Sequence, residues 1–170
     1  LQVSHKTVPG WLGILERLYA VFRLAPFGAP RIRAVKKEQK HYHYDWSLVP
    51  SEPARFENLV ASHLLKWAYF EQDAQGREVE LRYFRDTDGR EVDFVVVEGR
   101  RPLLLVEAKW GDAEPDKSLR YLKARFPEAD AWQAEYDSLA AAFRKAAQRD
   151  MRDDRRGNRA WLVGGAATDG

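Results

Sequence analysis

The sequence predicts an α/β protein whose core runs helix, three-stranded antiparallel meander, helix and strand, with a smaller N-terminal part before it. An apolar stripe of helical spacing begins after Pro53, and three strand-like segments follow it before helical spacing returns. The chain has 170 residues, of which 45% are hydrophobic and 32% charged, so it is long enough for one packed domain and a small appendage. We therefore expect an N-terminal segment over residues 1–49 and a core domain over residues 50–170.

The composition excludes several classes of site. Cysteine is absent, so there can be no disulfide framework, thiolate zinc site or cysteine nucleophile. No apolar run reaches the length of a membrane span or a signal-peptide core, which favours a cytoplasmic protein without a membrane partner. The first residue is Leu1 rather than Met, and we expect a fragment of a longer polypeptide or a processed chain.

The N-terminal segment is predicted to hold one helix and a two-stranded ribbon. Apolar residues recur at helical spacing from Thr7 to Phe22, and the short segments Arg23–Phe27 and Gln39–Asp45 have the aromatic content of strands. A helix followed by a basic ribbon is the outline of half a winged helix, whose earlier helices would lie upstream of Leu1.

Positive charge is concentrated in this segment. Residues 1–45 carry eight Lys or Arg and three acids, whereas the remainder carries twenty against twenty-three. Such a basic region favours contact with nucleic acid, although a solvated basic face of an ordinary domain would give the same count. Under the first interpretation, the nucleic acid is expected to be DNA, and the residues that contact it are Arg31, Arg33, Lys36, Lys37 and Lys40.

The core domain is predicted to open with a helix that begins after Ser51 and to continue through strands Val79–Arg85, Glu91–Val97 and Pro102–Trp110. A polar link is expected at residues 72–77, and Asp86–Gly89 has the composition of a hairpin turn. Further downstream we expect a helix that ends at Pro127, a strand over Ala129–Tyr136, a helix containing Leu139, Phe143 and Ala147, a charged link at 149–159, and a last strand at Ala160–Val163.

The strand pattern predicts that two carboxylates face each other. Alternation places Asp93 on the face of β-strand 91–97 opposite to that of Val92, Phe94 and Val96. If Glu98 pairs with Pro102 through a three-residue loop, paired residue numbers sum to 200 and Asp93 lies opposite Glu107. A sum of 199 would put the two carboxylates on opposite faces and bury a charge on each, which is costly.

Facing carboxylates on a half-buried sheet repel each other unless a cation lies between them. Mg²⁺ or Mn²⁺ would fit, with Asp93, Glu107 and the main-chain carbonyl of Ala108 as oxygen ligands. Lys109, one pleat further, would orient the attacking water and offset charge developing on a phosphate, and Glu57, at the edge of the helix stripe, would reach the ion through water. The alternative is that Asp93 and Glu107 form ion pairs with Lys or Arg at the edge of the sheet, with Lys109 as one partner.

Four short motifs together resemble a known family: Phe56-Glu57-Asn58-Leu59-Val60, Arg82 to Arg85, Glu91-Val92-Asp93-Phe94-Val95 and Val106-Glu107-Ala108-Lys109. They are similar to the PD-(D/E)XK nuclease-like domain at the C-terminus of a family of bacterial and archaeal AAA+ ATPases. The resemblance extends from about Val3 to Gln133, since the first residues resemble the winged-helix region before that domain.

The resemblance implies a restriction-endonuclease-like core, a metal-dependent nuclease activity on DNA, and an upstream ATPase domain as partner. Asp93, Glu107 and Lys109 match the acidic pair and the lysine of the family, and Glu57 matches its helix acid; Val92 stands where proline is usual. No G-x-x-x-x-G-K-[ST] motif is present, so no ATP site is expected in this chain. Two alternatives remain open, namely a non-catalytic DNA-binding or interaction module that regulates the ATPase, and a homo-oligomerisation domain.

Overall fold

The computed structural model describes residues 7–28, 38–111 and 114–138, which form a mixed α/β fold with a six-stranded sheet and four helices. The helices are α1 (Thr7–Arg17), a short 3-10 helix (Trp46–Leu48), α2 (Glu52–Gln75) and α3 (Lys117–Arg125). The strands are β1 (Val21–Pro26), β2 (Lys40–His43), β3 (Val79–Arg85), β4 (Glu91–Glu98), β5 (Arg101–Lys109) and β6 (Asp130–Glu135).

The six strands form one sheet in the order β2-β1-β3-β4-β5-β6. β1 is parallel to β3 and β6 is parallel to β5, while the other neighbours are antiparallel. The central strands β4 and β5 carry apolar residues on both faces, as is typical of strands covered on two sides. The ribbon β1–β2, which the sequence assigned to a separate N-terminal segment, thus extends the same sheet; the predicted boundary at residues 49 and 50 stays a prediction.

Helices cover the two faces of the sheet. On one face, Ala61 and Ala68 of α2 pack with Phe94, Val96 and other residues of the strands. On the other face, Leu119 and Leu122 of α3 pack with the strand residues Val92, Val95, Val97 and Leu105. The sheet therefore lies between α2 and α3, and outside the irregular positions successive residues of β4 and β5 belong to different layers of the core.

Several predicted boundaries differ from the observed ones. α1 ends at Arg17 instead of Phe22, because β1 begins at Val21 and takes the last apolar residues into the sheet. α2 continues through the predicted polar link to Gln75 and is closed by Gly76, which has a left-handed φ of 65°. The predicted helix containing Leu139, the charged link and the strand Ala160–Val163 lie outside the described residues.

The apolar side chains of α1 are largely exposed, although the sequence pattern is that of an amphipathic helix. Those with at least a third of their surface accessible are Val8, Trp11, Ile14 and Leu15. None of the described helices combines the length and the apolar character needed to cross a membrane.

Candidate active site

Asp93 lies in a bulge of β4, which sets the direction of its side chain. Arg82 of β3 pairs with Val95, whereas Phe84 pairs with Val92, so β4 carries one extra residue between these pairs. As a result Val92 packs in the layer of α3 and Phe94 in the layer of α2. The predicted alternation, with Val92, Phe94 and Val96 on one face, is therefore wrong at Val92, because a bulge adds a residue and re-aims the side chains beside it.

The pairing of β4 with β5 also contains an irregularity. Glu98 pairs with Arg101 across a two-residue loop, so the predicted three-residue loop is wrong. Between Val97↔Pro102 and Val96↔Leu104 the register shifts by one residue on β5, and the paired numbers then sum to 200. The predicted register is thus confirmed from Val96 to Phe94, close to the candidate site, but a bulge and not the loop produces it.

Beyond Phe94, the carboxylates of Asp93 and Glu107 accept hydrogen bonds from main-chain groups of β4 and β5. The main-chain N–H of Asp93 donates to Oε2 of Glu107 at 3.2 Å, and the N–H of Ala108 donates to Oδ2 of Asp93 at 3.1 Å. Each acid therefore accepts from the backbone of the other strand. This exchange brings Asp93 and Glu107 together, as expected for residues predicted to lie opposite each other, and places the N–H group of Ala108 beside Asp93.

Glu107 is buried, with 7% of its surface exposed. Burial, and then the nearby charge of Asp93, raise the pKa of Glu107 to about 7, against the opposing effect of a hydrogen bond from Lys109. Near neutral pH this carboxyl group is therefore divided between its neutral and charged forms. Repulsion between the two acids, expected from the sequence, is present in the structure.

Lys109 links Glu107 to the start of α3. Its Nζ lies 2.7 Å from Oε1 of Glu107 and 3.1 Å from Oδ2 of Asp116. Burial alone would lower the pKa of Lys109, but the hydrogen bonds and charges of these two acids raise it. Asp116 also caps α3, since its other oxygen accepts from the N–H groups of Ser118 and Leu119. Lys109 is thus charged and held in place from two sides.

Lys40 of β2 lies among three carboxylates. Its Nζ is 2.7 Å from Glu91, 3.0 Å from Asp93 and 3.4 Å from Glu57. Burial opposes the charge of Lys40, yet the three acids outweigh it and raise the pKa well above its usual value. The sequence predicted that Lys40 contacts nucleic acid; the structure places its ammonium group in the acidic cluster instead of free at the surface.

Three consecutive residues of α2 connect this helix to the site. Phe56 is buried and packs edge-on against the stacked rings of Trp110 and Tyr136. Glu57 accepts a 2.7 Å hydrogen bond from the hydroxyl of Tyr42. Asn58 donates to the carbonyl of His43 and accepts from its N–H, at 2.7 and 2.8 Å. These contacts fix β2, and with it Lys40, against the first turns of α2.

The structure therefore brings Asp93, Glu107, Lys109 and Glu57 into one cluster, with Ala108 beside Asp93 through its N–H group. The other residues predicted to bind nucleic acid, Arg31, Arg33, Lys36 and Lys37, lie outside the described residues. The sequence interpretation missed three members of the cluster: Tyr42, Glu91 and Asp116. Glu91 could have been found from its position two residues before Asp93 on the same predicted face, and Asp116 from its N-cap position before a helix.

The cluster offers carboxylate oxygens, which are donors of the kind that a divalent ion needs. In the part of the chain that the structure describes, no group of three or more His, Cys, Asp or Glu side chains is arranged to hold a metal ion. Each oxygen of Asp93 and Glu107 already has a hydrogen-bond or ion-pair partner, although a carboxylate oxygen carries two lone pairs and can accept again. Two repelling carboxylates with oxygen donors fit Mg²⁺ or Mn²⁺ in their chemistry, since Mg²⁺ keeps several waters and needs few protein ligands.

The fold and the site define the class of protein: it is an α/β protein with a cluster of carboxylates and lysines. The cluster lies where the regular pairing of β4 with β5 ends, next to Phe94 and Val106. A family model described as a domain of unknown function (DUF4143) matches residues 54–149, more than half of the chain. The chain belongs to this family, which is found with AAA+ ATPases. A second model, also described as a domain of unknown function (DUF8612), matches residues 1–54. Neither a search of curated proteins nor a search of solved structures found a match.

Proposed function

We propose that the chain is a PD-(D/E)XK nuclease-like domain with a restriction-endonuclease-like core, which hydrolyses phosphodiester bonds of DNA with Mg²⁺ or Mn²⁺. The observation that carries this proposal is the reciprocal hydrogen bonding of Asp93 and Glu107 across β4 and β5, with Lys109 on the outer oxygen of Glu107. Two acids and a lysine at the point where two central strands separate are the groups that metal-assisted hydrolysis requires.

In this proposal Asp93, Glu107 and the carbonyl of Ala108 hold the ion, which supplies an activated water and neutralises charge on the phosphate. Lys109 keeps a positive charge next to Glu107 and orients the water through its remaining N–H donors. Glu57 supports the cluster through water, while its hydrogen bond from Tyr42 fixes its position. The raised pKa of Glu107 makes ion binding more favourable at alkaline pH, where this carboxyl group is already charged.

A nicking assay on supercoiled DNA tests the proposal. Asp93→Asn keeps the shape of the side chain and removes its charge. Glu98→Gln is the matched control, because it neutralises an acid at the far end of the same strand that pairs with Arg77. The wild type and Glu98→Gln should nick DNA with Mg²⁺ or Mn²⁺ and not with EDTA, while Asp93→Asn should lose at least about 100-fold in rate.

Two results would contradict the proposal. One is the absence of cleavage of both DNA and RNA with either divalent ion. The other is equal cleavage by Asp93→Asn and Glu98→Gln, which would assign the activity to a contaminant and not to this site.

We further propose a DNA-binding role for the N-terminal segment and an ATPase domain as the partner of the chain. The N-terminal segment 1–49 would be part of a winged helix whose basic residues, Arg31 and Lys36 among them, bind DNA. An ATPase domain upstream in the same cytoplasmic polypeptide would be the partner, in line with the AAA+ ATPases that accompany the family. Homo-oligomers of the ATPase would then present several copies of the domain to the nucleic acid.

A second candidate function is a non-catalytic DNA-binding or interaction module that regulates the ATPase. The position of Lys40 favours it, because the ammonium group lies within 3.4 Å of Glu57, Glu91 and Asp93 and supplies the positive charge that this acidic cluster needs. In this case Asp93→Ala leaves DNA affinity unchanged, and binding falls steeply with salt but does not respond to divalent ions or EDTA. A fluorescence anisotropy titration at two salt concentrations separates this outcome from the first proposal.

A further inference from the structure

A groove of about 540 Å³ opens on the molecule between the end of β1, the β3–β4 turn and the end of α3. Its volume lies in the range of small-ligand sites, roughly 300 to 1,000 Å³. We call it the aromatic groove; the residues that shape it most are Phe27, Phe84, Arg85, Tyr121, Arg125 and Phe126.

The aromatic rings of the groove are fixed by their neighbours. Phe27 and Phe126 pack edge to face, with centroids 5.4 Å apart. The guanidinium group of Arg90 stacks on the ring of Tyr121 at 4.0 Å. All three residues are half-buried, so part of each remains exposed, while Arg90 covers one face of Tyr121. A flat aromatic ligand gains most from rings that are already ordered, because little side-chain entropy is lost when it binds.

Arg125 supplies a positive charge at the rim. It is exposed near the end of α3, and its contact is a long 3.4 Å hydrogen bond to the hydroxyl of Tyr121. No carboxylate of the described residues lies within ion-pair distance of Arg125. Arg85, by contrast, is engaged by Glu38 and Glu91. Arg125 is therefore the groove cation that can accept an anionic partner without breaking an ion pair.

The sequence between two residues that line the groove is rich in positive charge. Gly28 and Glu38 both line it, and the nine residues between them include four Lys or Arg and no acid. The two acids that line the groove, Glu38 and Asp86, are each paired with an arginine, Arg85 and Arg90 respectively.

The groove is linked to the candidate active site by a chain of ion pairs. Arg85 contacts Glu91 at 2.7 Å, Glu91 contacts Lys40 at 2.7 Å, and Lys40 contacts Asp93 at 3.0 Å. Three consecutive ion pairs thus connect Arg85 of the groove with Asp93.

We infer that the aromatic groove binds an unpaired nucleobase, with its phosphate on Arg125, and so selects nucleic acid that has single-stranded character. Ring faces and a guanidinium group are what proteins use to bind exposed bases and their phosphates. A duplex keeps its base faces within its own stack and cannot offer them to Tyr121. The link from groove binding to cleavage rests on the proposed function, whereas the binding itself does not.

Binding is measured by fluorescence anisotropy with the full chain in EDTA, so that no cleavage occurs. Three probes of equal length are compared: an oligothymidylate, an abasic oligonucleotide with the same phosphates, and a duplex. The oligothymidylate should bind at least about fivefold more tightly than the other two, since one base stack contributes roughly 5- to 150-fold. If the abasic probe or the duplex binds as tightly as the oligothymidylate, the inference is overturned. It is also overturned if no oligonucleotide binds, and a peptide would then be the ligand to test in the groove.

Two pairs of variants place the binding in the groove. Tyr121→Ala should lose about 5-fold or more in affinity for oligothymidylate, whereas Tyr121→Phe keeps the ring and should bind as the wild type does. Arg125→Ala should weaken binding and reduce by about one the slope of log affinity against log salt concentration. Arg120 is the control, because it is an exposed arginine of α3 that does not line the groove, and Arg120→Ala should change neither quantity. Unfolding midpoints for each variant show whether it remains folded. Unchanged affinity in both Tyr121→Ala and Arg125→Ala overturns the inference.

The outcome is separable from that of the proposed function. Groove-dependent binding without any cleavage in Mn²⁺ would support the inference and contradict the nuclease proposal. Cleavage that needs Asp93, with binding that is indifferent to Tyr121 and Arg125, would do the reverse.

Discussion

Replacing Glu107 by glutamine should change how the stability of the metal-free protein depends on pH. The pKa of this buried carboxyl group is raised to about 7 in the folded protein, from 4.5. The folded state therefore holds a proton that the unfolded state has already released over this interval. Stability falls as the pH rises from about 4.5 to about 7, and the full cost is present above that range. Glutamine has no such titration.

The size of the effect follows from the two pKa values. At about pH 5.5 the ionisation of Glu107 costs roughly 1.4 kcal/mol of folding free energy, and at about pH 8 roughly 3.3 kcal/mol. Relative to the wild type, Glu107→Gln should thus gain about 2 kcal/mol in unfolding free energy between these two pH values. Burial, and then the charge of Arg23, lower the pKa of His41, but its contribution is common to both proteins and cancels.

Urea denaturation followed by tryptophan fluorescence measures the difference, with EDTA present and at both pH values. Glu98→Gln is the control; a hydrogen bond from Arg77 lowers the pKa of Glu98, so its titration lies below this pH range and the variant should run parallel to the wild type. A difference between wild type and Glu107→Gln that is constant with pH, or that changes in the opposite direction, would refute the electrostatic description of the site.

Three further predictions concern the same cluster. Binding of Mn²⁺ should release about 0.9 proton near pH 6 and about 0.1 near pH 8, because the ion displaces the proton of Glu107 into the buffer. Calorimetry in buffers of different ionisation enthalpy detects this release, and equal release at both pH values would contradict the prediction. Asn58→Ala should cost about 2 to 4 kcal/mol in urea denaturation because both main-chain groups of His43 lose their hydrogen bond to Asn58, and only the carbonyl keeps a donor, the hydroxyl of Ser62 at 3.5 Å. A cost below about 0.5 kcal/mol would show that both groups find other partners. Tyr42→Phe should cost about 1 kcal/mol by removing the hydrogen bond to Glu57, with no loss expected if that bond is absent in solution.

The strands of the meander were predictable to within one residue from sequence. Val79–Arg85 is observed with the predicted bounds, because aromatic and branched residues alternate there and the turn after Arg85 contains Asp and Gly. The end of α2 was not predictable, since its last turns are polar and extend to Gln75. Helix continuation there is set by the Gly76 cap, which propensity alone does not locate.

The geometry of the site depends on two bulges that sequence reasoning did not find. One extra residue on β5, Leu103, restores the register that places Asp93 near Glu107, although the loop is shorter than predicted. One extra residue on β4 turns Asp93 towards Lys40 and α2. A bulge is decided by how a strand fits both neighbours at once, and strict alternation read from a single strand does not include that information.

The ion-pair partners of Lys40 were likewise not predictable from a single segment of the sequence. Its place in a basic segment predicted a contact with nucleic acid, because a count of charges along the chain does not show which acids fold against it. The structure pairs it with Glu57, Glu91 and Asp93 from two other elements. Whether the cluster relies on Lys40 alone or on a divalent ion as well is the physical difference between the two proposed functions.

Lys40→Met distinguishes them, because methionine keeps much of the length of the side chain and removes its charge. In EDTA the variant should lose about 2 kcal/mol of stability, as three carboxylates lose a partly buried partner. If Asp93 and Glu107 form a metal site, removal of a competing cation beside Asp93 should tighten Mn²⁺ binding by about 10-fold, and saturating Mn²⁺ should restore much of the lost stability. If the domain is a non-catalytic module, the same loss occurs and Mn²⁺ changes neither quantity. Calorimetry measures the affinity for Mn²⁺, and urea denaturation with and without the ion measures the stability. If Mn²⁺ still restores stability in the double variant that carries both Lys40→Met and Asp93→Asn, the ion binds at another place.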